Sequence, residues 1–337
     1  MITRRLGRTG LEVSALGLGT YQLTGEFNVP LDDADRIFDV AARRGLSYVD
    51  AASAYGAGES EELVGRALAR HPRWTPAIGT KIGHLDKSVA RWTGDEAYRD
   101  AVNLDRVIRH SLWLLRRDAV EVYFIHEHNW PQWGFDYETG DSPVLEVLEG
   151  LKRDGVIGAI GIGGWDLGLA TKLVSTGRID VVLAAGGINL LDSPMLDELV
   201  PAAKAHDAGV LVGGAFGQNS RFLITPFPED VAAFRASGDP DQVTMADKLD
   251  GIYALARDLG ATLTELAVRY VLSIEDIHCH VPGARIAEHL EANIDAAEKG
   301  PLPSDALDRI AEIQALGSSP SGYAVARLGD RVRGGKG

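Results

Sequence analysis

The sequence predicts an α/β protein built as a single (β/α)8 TIM barrel, and three observations carry that prediction. Short β-rich runs alternate with amphipathic runs of about a dozen residues eight times along the chain, a pattern that implies parallel strands joined by helical crossovers. The rival architecture, a doubly wound open sheet, ordinarily has a GxGxxG turn after its first strand. Here the corresponding text is Gly17-Leu18-Gly19-Thr20, which lacks the third glycine. Finally, the chain has 337 residues and is 45% hydrophobic, enough for one large barrel with a packed core.

The elements run in order as follows. Residues 15–20 (ALGLGT) form the first strand, and 33–44 a helix that Gly45 ends. Residues 47–52 (SYVDAA) are the second strand, followed by a helix over 60–70 with Pro72 beyond it. The third pair is the strand 77–82 and the helix 105–117. The fourth is the strand 120–126 (VEVYFIH) and the helix 143–153, closed by Gly155. Strands over 157–163, 181–185 and 209–215 come next, with helices over 167–176 and 195–206 between them. Two helices, 248–259 and 264–272, precede the eighth strand, 277–282, and 286–298 is the last barrel helix. Gly or Pro follows most of these helices, and Asp or Ser precedes them.

Three pieces lie outside the repeat. The opening segment, with Gly7 and Gly10, reads as a hairpin capping one mouth of the barrel. Long loops follow the fourth strand (127–142, aromatic-rich) and the seventh (an insertion over 218–247, rich in Pro, Gly and Asp). Both belong at the C-terminal face of a barrel, where active sites are built. Residues 1–317 thus form one domain, and the small, polar tail 318–337 is expected to be mobile.

Composition excludes several functions. With 48 acidic against 34 basic residues and a net charge of −14, the chain lacks the basic footprint of a nucleic-acid binder. Cys279 is the only cysteine, which rules out an internal disulfide or a thiolate metal cage. No apolar run approaches the roughly 20 residues needed to cross a bilayer, and the N-terminus has no apolar signal region. The expectation is a soluble cytoplasmic protein acting on a small molecule, with no nucleic-acid or membrane partner. Oligomeric state is not readable.

The polar residues at strand ends suggest chemistry. Asp50 ends the second strand, Tyr55 follows in the Gly-rich turn AASAYGAGES, Lys81 ends the third strand and His126 the fourth. Three neighbouring strands therefore deliver a carboxylate, a phenol, an ammonium and an imidazole to one rim. A phenol with a pKa near 10 is a poor acid at neutral pH. An adjacent ammonium stabilises the phenolate and eases proton transfer to a carbonyl oxygen or from an alcohol. Asp50 would balance the charge of Lys81, and His126 would fix the reacting oxygen. Singly, Asp50 reads equally well as a helix cap, Lys81 as a solvated lysine and His126 as a core residue.

With the runs RRLGRTGLEVSALGLGT, YVDAASAYGAGESEELVGRAL, GTKIG, VEVYFIHEH, GVIGAIGIGG and VPGARIAEHLEANI, the chain resembles the aldo-keto reductase family nearly from end to end. It is most similar to the bacterial aldose (fucose, arabinose or galactose-type) and pyridoxal dehydrogenases. The resemblance implies an NAD(P)-dependent oxidoreductase whose Asp, Tyr, Lys and His tetrad is carried by Asp50, Tyr55, Lys81 and His126. It further implies that Phe216 stacks on the nicotinamide and that Gly217, Gln218 and Asn219 approach the pyrophosphate. Where the family commonly has a Ser-Asn pair for the carboxamide, this chain has Gly163 and Gly164, with Asn189 as the nearest amide after the sixth strand. In the segment that reads a 2′-phosphate, Gly283 and His289 replace the usual Lys and Arg. Arg285 remains, and Asn293 matches the residue that meets the adenine. One cation permits NADP without demanding it, and the balance leans to NAD.

The substrate pocket is expected to be lined by Tyr21 and by the loop after the fourth strand. There Trp130 and Trp133, with Phe135 and Tyr137, offer flat faces, while His128 and Asn129 bind hydroxyls. No metal is expected. Alternation along a strand separates Cys279 from His278 and His280, and Glu59, Glu61 and Glu62 read as the acidic first turn of a helix. The reaction is then aldose oxidation at the anomeric carbon or reduction of an aldehyde or ketone, with Tyr55 as general acid/base. The alternatives are a non-catalytic nucleotide-sensing barrel, or a metal-dependent hydrolase, which would need clustered His and Asp ligands at the strand mouths.

Overall fold

The computed structural model describes residues 1–83, 94–216 and 221–317. The expectations for Gly217, Gln218, Asn219 and the tail 318–337 lie outside the described residues. Strands β1 (Thr3–Arg5) and β2 (Glu12–Ser14) pair as the expected hairpin. Eight parallel strands follow: β3 (Leu18–Gly19), β4 (Tyr48–Asp50), β5 (Ala77–Ile82), β6 (Val120–His126), β7 (Ile157–Gly164), β8 (Val181–Ala185), β9 (Gly209–Gly213) and β10 (Cys279–His280). They hydrogen-bond in sequence order, and parallel bridges Leu16–His280 and Gly19–Gly283 join the last strand to the first. The result is a (β/α)8 barrel with an N-terminal hairpin.

The helices pack outside: α1 (Leu31–Arg44), α2 (Glu59–Arg70), α3 (Ala101–Leu115), α4 (Pro143–Arg153), α5 (Leu167–Ser175), α6 (Leu199–Ala205), α7 (Pro228–Ala236), α8 (Pro240–Leu259), α9 (Leu263–Leu272), α10 (Ala287–Glu298) and α11 (Ser304–Gln314). Two of these correct the sequence reading. The described part of the 218–247 insertion is helical: it holds α7 and the first turns of α8. Pro228 and Pro240 each occupy a first helical position, and the Asp239 side chain caps α8 by accepting from the Asp241 and Gln242 amides. Proline suits that position because its missing N–H would find no partner there anyway. Helix α11 lies beyond the eightfold repeat and packs on α8, where Gly251 admits the Ile313 side chain.

Alternation along the strands divides the core in two. Outward residues pack under the helices, while Tyr48, Val122, Phe124, Ala159, Val181, Leu183, Leu211, Cys279 and Val281 fill the barrel with Leu6 and Val13 of the hairpin segment. Large rings are accommodated by glycines across from them: a side-chain carbon on Gly79 would lie 2.1 Å from the Tyr48 hydroxyl, and one on Gly161 2.2 Å from the Phe124 ring. The hairpin closes the N-terminal mouth. Leu6 packs on Gly209 at the start of β9, Arg4 donates to the carbonyls of Leu272, Ile274 and Ile277, and Arg8 pairs with Asp180 at 2.8 Å. The C-terminal mouth is left for chemistry. Among the described residues, no helix is long and apolar enough to cross a membrane.

Candidate active site

The inward alternation that buries Tyr48 in the barrel brings Asp50, two residues later, to the C-terminal mouth on the same face. On the neighbouring strands Lys81 follows inward Gly79, and His126 follows inward Phe124. Lys81 and Asp50 are buried, and the Lys81 ammonium donates to Asp50 Oδ2 at 2.6 Å and to the Ala51 carbonyl at 2.8 Å. Tyr55 sits in the turn that follows, where Gly56, Ala57 and Gly58 are all left-handed. Gly56 is required there, because a side chain would collide with Glu59 and Thr24. That turn carries the phenol back over the mouth. The Lys81 nitrogen lies 4.7 Å from the Tyr55 ring centroid, and the His126 ring meets Tyr55 edge-on at 5.5 Å.

The electrostatics of this cluster differ from the sequence expectation in one respect. Burial is the largest influence on Tyr55 and raises its pKa. The nearby Lys81 ammonium pulls the pKa down without overcoming burial. Asp50 is likewise raised by burial and lowered by Lys81. Burial pushes the Lys81 pKa down, but Asp50 and Tyr55 together push it further up, and the ammonium stays charged. The phenol therefore holds its proton at neutral pH, and Lys81 moderates a rise that burial imposes.

Three of the other predicted site residues have different work. Both His128 ring nitrogens face carbonyls, Nε2 toward Asp166 at 3.0 Å and Nδ1 toward Gly163 at 3.3 Å, and burial lowers its pKa. It braces the turn after β7 and has no nitrogen left for a sugar hydroxyl. Trp133 is fully buried, and its indole N–H is shared between the His126 and Glu127 carbonyls, so it pins the loop and lines no pocket. The Asn189 amide is spent on its own turn, accepting from the Leu191 and Asp192 amides and donating to the Asp192 carboxylate. It is not available to a carboxamide.

The remaining residues keep faces toward the mouth or solvent. Tyr21 is 46% exposed and packs 4.9 Å from Tyr55 and 4.8 Å from Phe27. Trp130 and Asn129 are half-buried, and the Asn129 side-chain oxygen is shielded from solvent without a hydrogen-bond partner among the described residues. Phe216 packs 5.7 Å from His280. Arg285 and His289 are exposed and Asn293 is buried. The Arg285 guanidinium lies 4.8 Å from the Phe27 ring centroid, and Gln22 packs over Gly283.

Two residues at the mouth escaped the sequence reading. Glu127 directly follows the strand-end His126, and Trp165, 43% exposed, follows Gly164 and packs on Gly186. Their signal was adjacency to a strand end. Glu59, Glu61 and Glu62 do form the acidic first turn of α2, and within it Glu61 is fully buried and accepts from the Thr80 hydroxyl at 2.5 Å. Among the described residues, no group of three His, Cys, Asp or Glu side chains is placed to hold a metal. Cys279 faces the barrel core, while His280 packs on Phe216 outside it.

The mouth fits a flat, uncharged ring approached by backbone. A side-chain carbon on Gly163 would make only ordinary contacts, 3.8 Å from the Lys81 stem and 3.9 Å from Leu183, so this strand end is not filled by its neighbours. Gly163 thus leaves a shelf of main chain beside the Lys81 stem, on which a nicotinamide would meet main-chain groups.

The comparisons with known proteins agree with this architecture. The family model described as Aldo/keto reductase family matches residues 15–315. Similar curated proteins include D-threo-aldose 1-dehydrogenase of a Pseudomonas species, 26% identical over 86% of this chain and 90% of that one. L-galactose dehydrogenase of Arabidopsis thaliana is 27% identical over 93% of each chain, and an NADH-specific methylglyoxal reductase of Escherichia coli is 26% identical over 86% of this chain and 92% of its own. Among solved structures, the holo form of an aldo-keto reductase of Bacillus halodurans superposes with a TM-score of 0.70 at 23% identity, covering 95% of this chain and 98% of that one.

Proposed function

Because the chain belongs to the aldo/keto reductase family of NAD(P)-dependent oxidoreductases, we propose that it oxidises an aldose at its anomeric carbon or reduces a small aldehyde, with Tyr55 moving the proton. The observation that supports this reading is the buried Lys81 ammonium, held by Asp50 at 2.6 Å beneath the Tyr55 ring. A bound nicotinamide nucleotide supplies or accepts the hydride. In reduction the Tyr55 hydroxyl donates its proton to the carbonyl oxygen, and in oxidation the same oxygen takes the alcohol proton. Lys81 steadies the phenolate so formed, Asp50 keeps the ammonium charged and in place, and His126 beside Tyr55 orients the reacting oxygen. Tyr21 and Trp130 offer faces to the substrate's C–H surface.

The nucleotide would lie over the main chain of Gly163 and Gly164 at the end of β7, with Phe216 against the nicotinamide and Gly217, Gln218 and Asn219 toward the pyrophosphate. Gly283, Arg285, His289 and Asn293 would hold the adenosine end. Arg285 is the one fixed cation of that set and already stacks on Phe27, which favours NAD over NADP. The name of the NADH-specific relative agrees with that preference. The test is nucleotide absorbance with NAD and NADP against aldoses (fucose, arabinose, galactose), pyridoxal and methylglyoxal. The expected result is turnover on at least one aldose or aldehyde, faster with NAD. A protein that binds nucleotide yet turns over nothing in the panel would contradict the reading.

A further inference from the structure

Glu127 is anomalous in three ways. Its backbone is left-handed at φ 51°, a conformation that costs a non-glycine residue strain and persists where the surroundings enforce it. The surroundings do enforce it: the Glu127 amide donates to the Gly163 carbonyl at 2.7 Å, and its carbonyl accepts from the Trp130 amide and the Trp133 indole. Its half-buried carboxyl makes no hydrogen bond or ion pair among the described residues, yet its charge reaches both Lys81 and Tyr55. A left-handed main chain thus holds a half-exposed carboxyl, without a protein partner among the described residues, within electrostatic reach of Lys81 and Tyr55, one residue beyond His126. The proton-transfer cluster already has its counter-ion in Asp50, and this second carboxyl raises the Tyr55 pKa, opposing Lys81. It therefore serves something other than the phenol.

We propose that the Glu127 carboxylate binds substrate, accepting hydrogen bonds from hydroxyls next to the reacting carbon and selecting polyhydroxylated carbonyl compounds over their deoxygenated analogues. The proposal rests on the oxidoreductase reading above and deepens it to a substrate class. Once a bound substrate covers the half-exposed carboxylate and displaces its water, a deoxygenated analogue leaves it unpaired, and that cost carries the discrimination.

The test compares kcat/KM for glyceraldehyde and propanal in the wild type, Glu127→Gln, Glu127→Asp and Glu127→Gly. The expected result is a wild-type preference for glyceraldehyde that falls at least tenfold in E127Q through KM, with partial rescue by E127D. E127G relieves the left-handed strain, so it should melt no lower than the wild type while losing the same selectivity. In E127Q the phenol should also titrate at lower pH, since a charge that raises its pKa is gone. An unchanged glyceraldehyde-to-propanal ratio in E127Q would overturn the proposal, as would an E127G protein that loses stability and keeps its selectivity. Calorimetric titration of the nucleotide-loaded protein with arabinose separates the two readings. Arabinose binding that E127Q abolishes, in a protein with no turnover, removes the oxidoreductase reading and keeps Glu127. Equal arabinose binding by both removes Glu127.

Discussion

Lys81 is the side chain on which the proposed proton transfer turns. It is buried, charged, bonded to a carboxylate and set 4.7 Å from the Tyr55 ring centroid, and among the described residues it is the influence that lowers the phenol pKa. The sign of its effect is therefore fixed. In Lys81→Met the phenol is left with burial and the Asp50 and Glu127 charges, all of which raise its pKa, so the phenolate needed for alcohol oxidation forms at higher pH. Asp50 loses its partner and, raised further by burial, takes up a proton. Alcohol oxidation at neutral pH should fall by about 10²-fold or more, and the pH dependence should move toward alkali. A K81M profile that coincides with the wild type would show that Lys81 does not tune the phenol. At this scale the sequence was readable where chemistry is set by residue type at a strand end, as for Asp50, Lys81 and His126. It was not readable for His128, Trp133 and Asn189, because their partners are main-chain groups of folded loops and leave no trace in local text.

Helix α2 shows how a single element couples to the barrel. Glu61 on its inner face accepts from Thr80 of β5 and lies in a layer with Ser111 of α3 and Tyr123 of β6. Burial raises its pKa from 4.5 to about 7, with the Thr80 hydrogen bond and the neighbouring Ser111 hydroxyl acting against it. A carboxyl whose folded pKa exceeds its unfolded value is held protonated by the fold, so its contribution to stability is full below pH 4.5 and is lost as pH rises through about 7. Urea unfolding of the wild type and Glu61→Gln should show this directly. Relative to E61Q, the wild type should lose about 2 kcal/mol of stability between pH 5 and pH 8. A difference that stays flat with pH would mean that Glu61 is ionised throughout. The element boundaries were legible to a similar degree. Strands β5, β6 and β8 and helix α4 fall where periodicity and Gly or Pro punctuation place them. Helices α7 and α11 did not stand out, one because Pro228 reads as a breaker while it starts a helix, the other because it follows the eightfold repeat.

Across the whole molecule, stability and chemistry occupy opposite ends of one barrel. The hairpin plugs the N-terminal mouth through Leu6, Arg4 and Arg8, which frees the C-terminal mouth to hold a buried ion pair, a strained Glu127 and the main-chain shelf at Gly163. The net charge of −14 gives no general attraction to an anionic nucleotide, so the proposed coenzyme binding rests on local backbone groups and Arg285. The fold was visible in the sequence because it follows from the eightfold strand count, and the gathering of Asp50, Tyr55, Lys81 and His126 at one rim was visible because each ends or follows one of those strands. The conformation of the 127–142 loop was not, since it is decided by tertiary hydrogen bonds such as those of His128 and Trp133. The central claim is that Tyr55 transfers the proton beside a bound nucleotide without holding that nucleotide. It is tested most directly by nucleotide fluorescence titration and turnover measured on one preparation of Tyr55→Phe. The account predicts nucleotide affinity within a few-fold of wild type and turnover reduced by about 10²–10⁴-fold. Wild-type turnover in Y55F would contradict it.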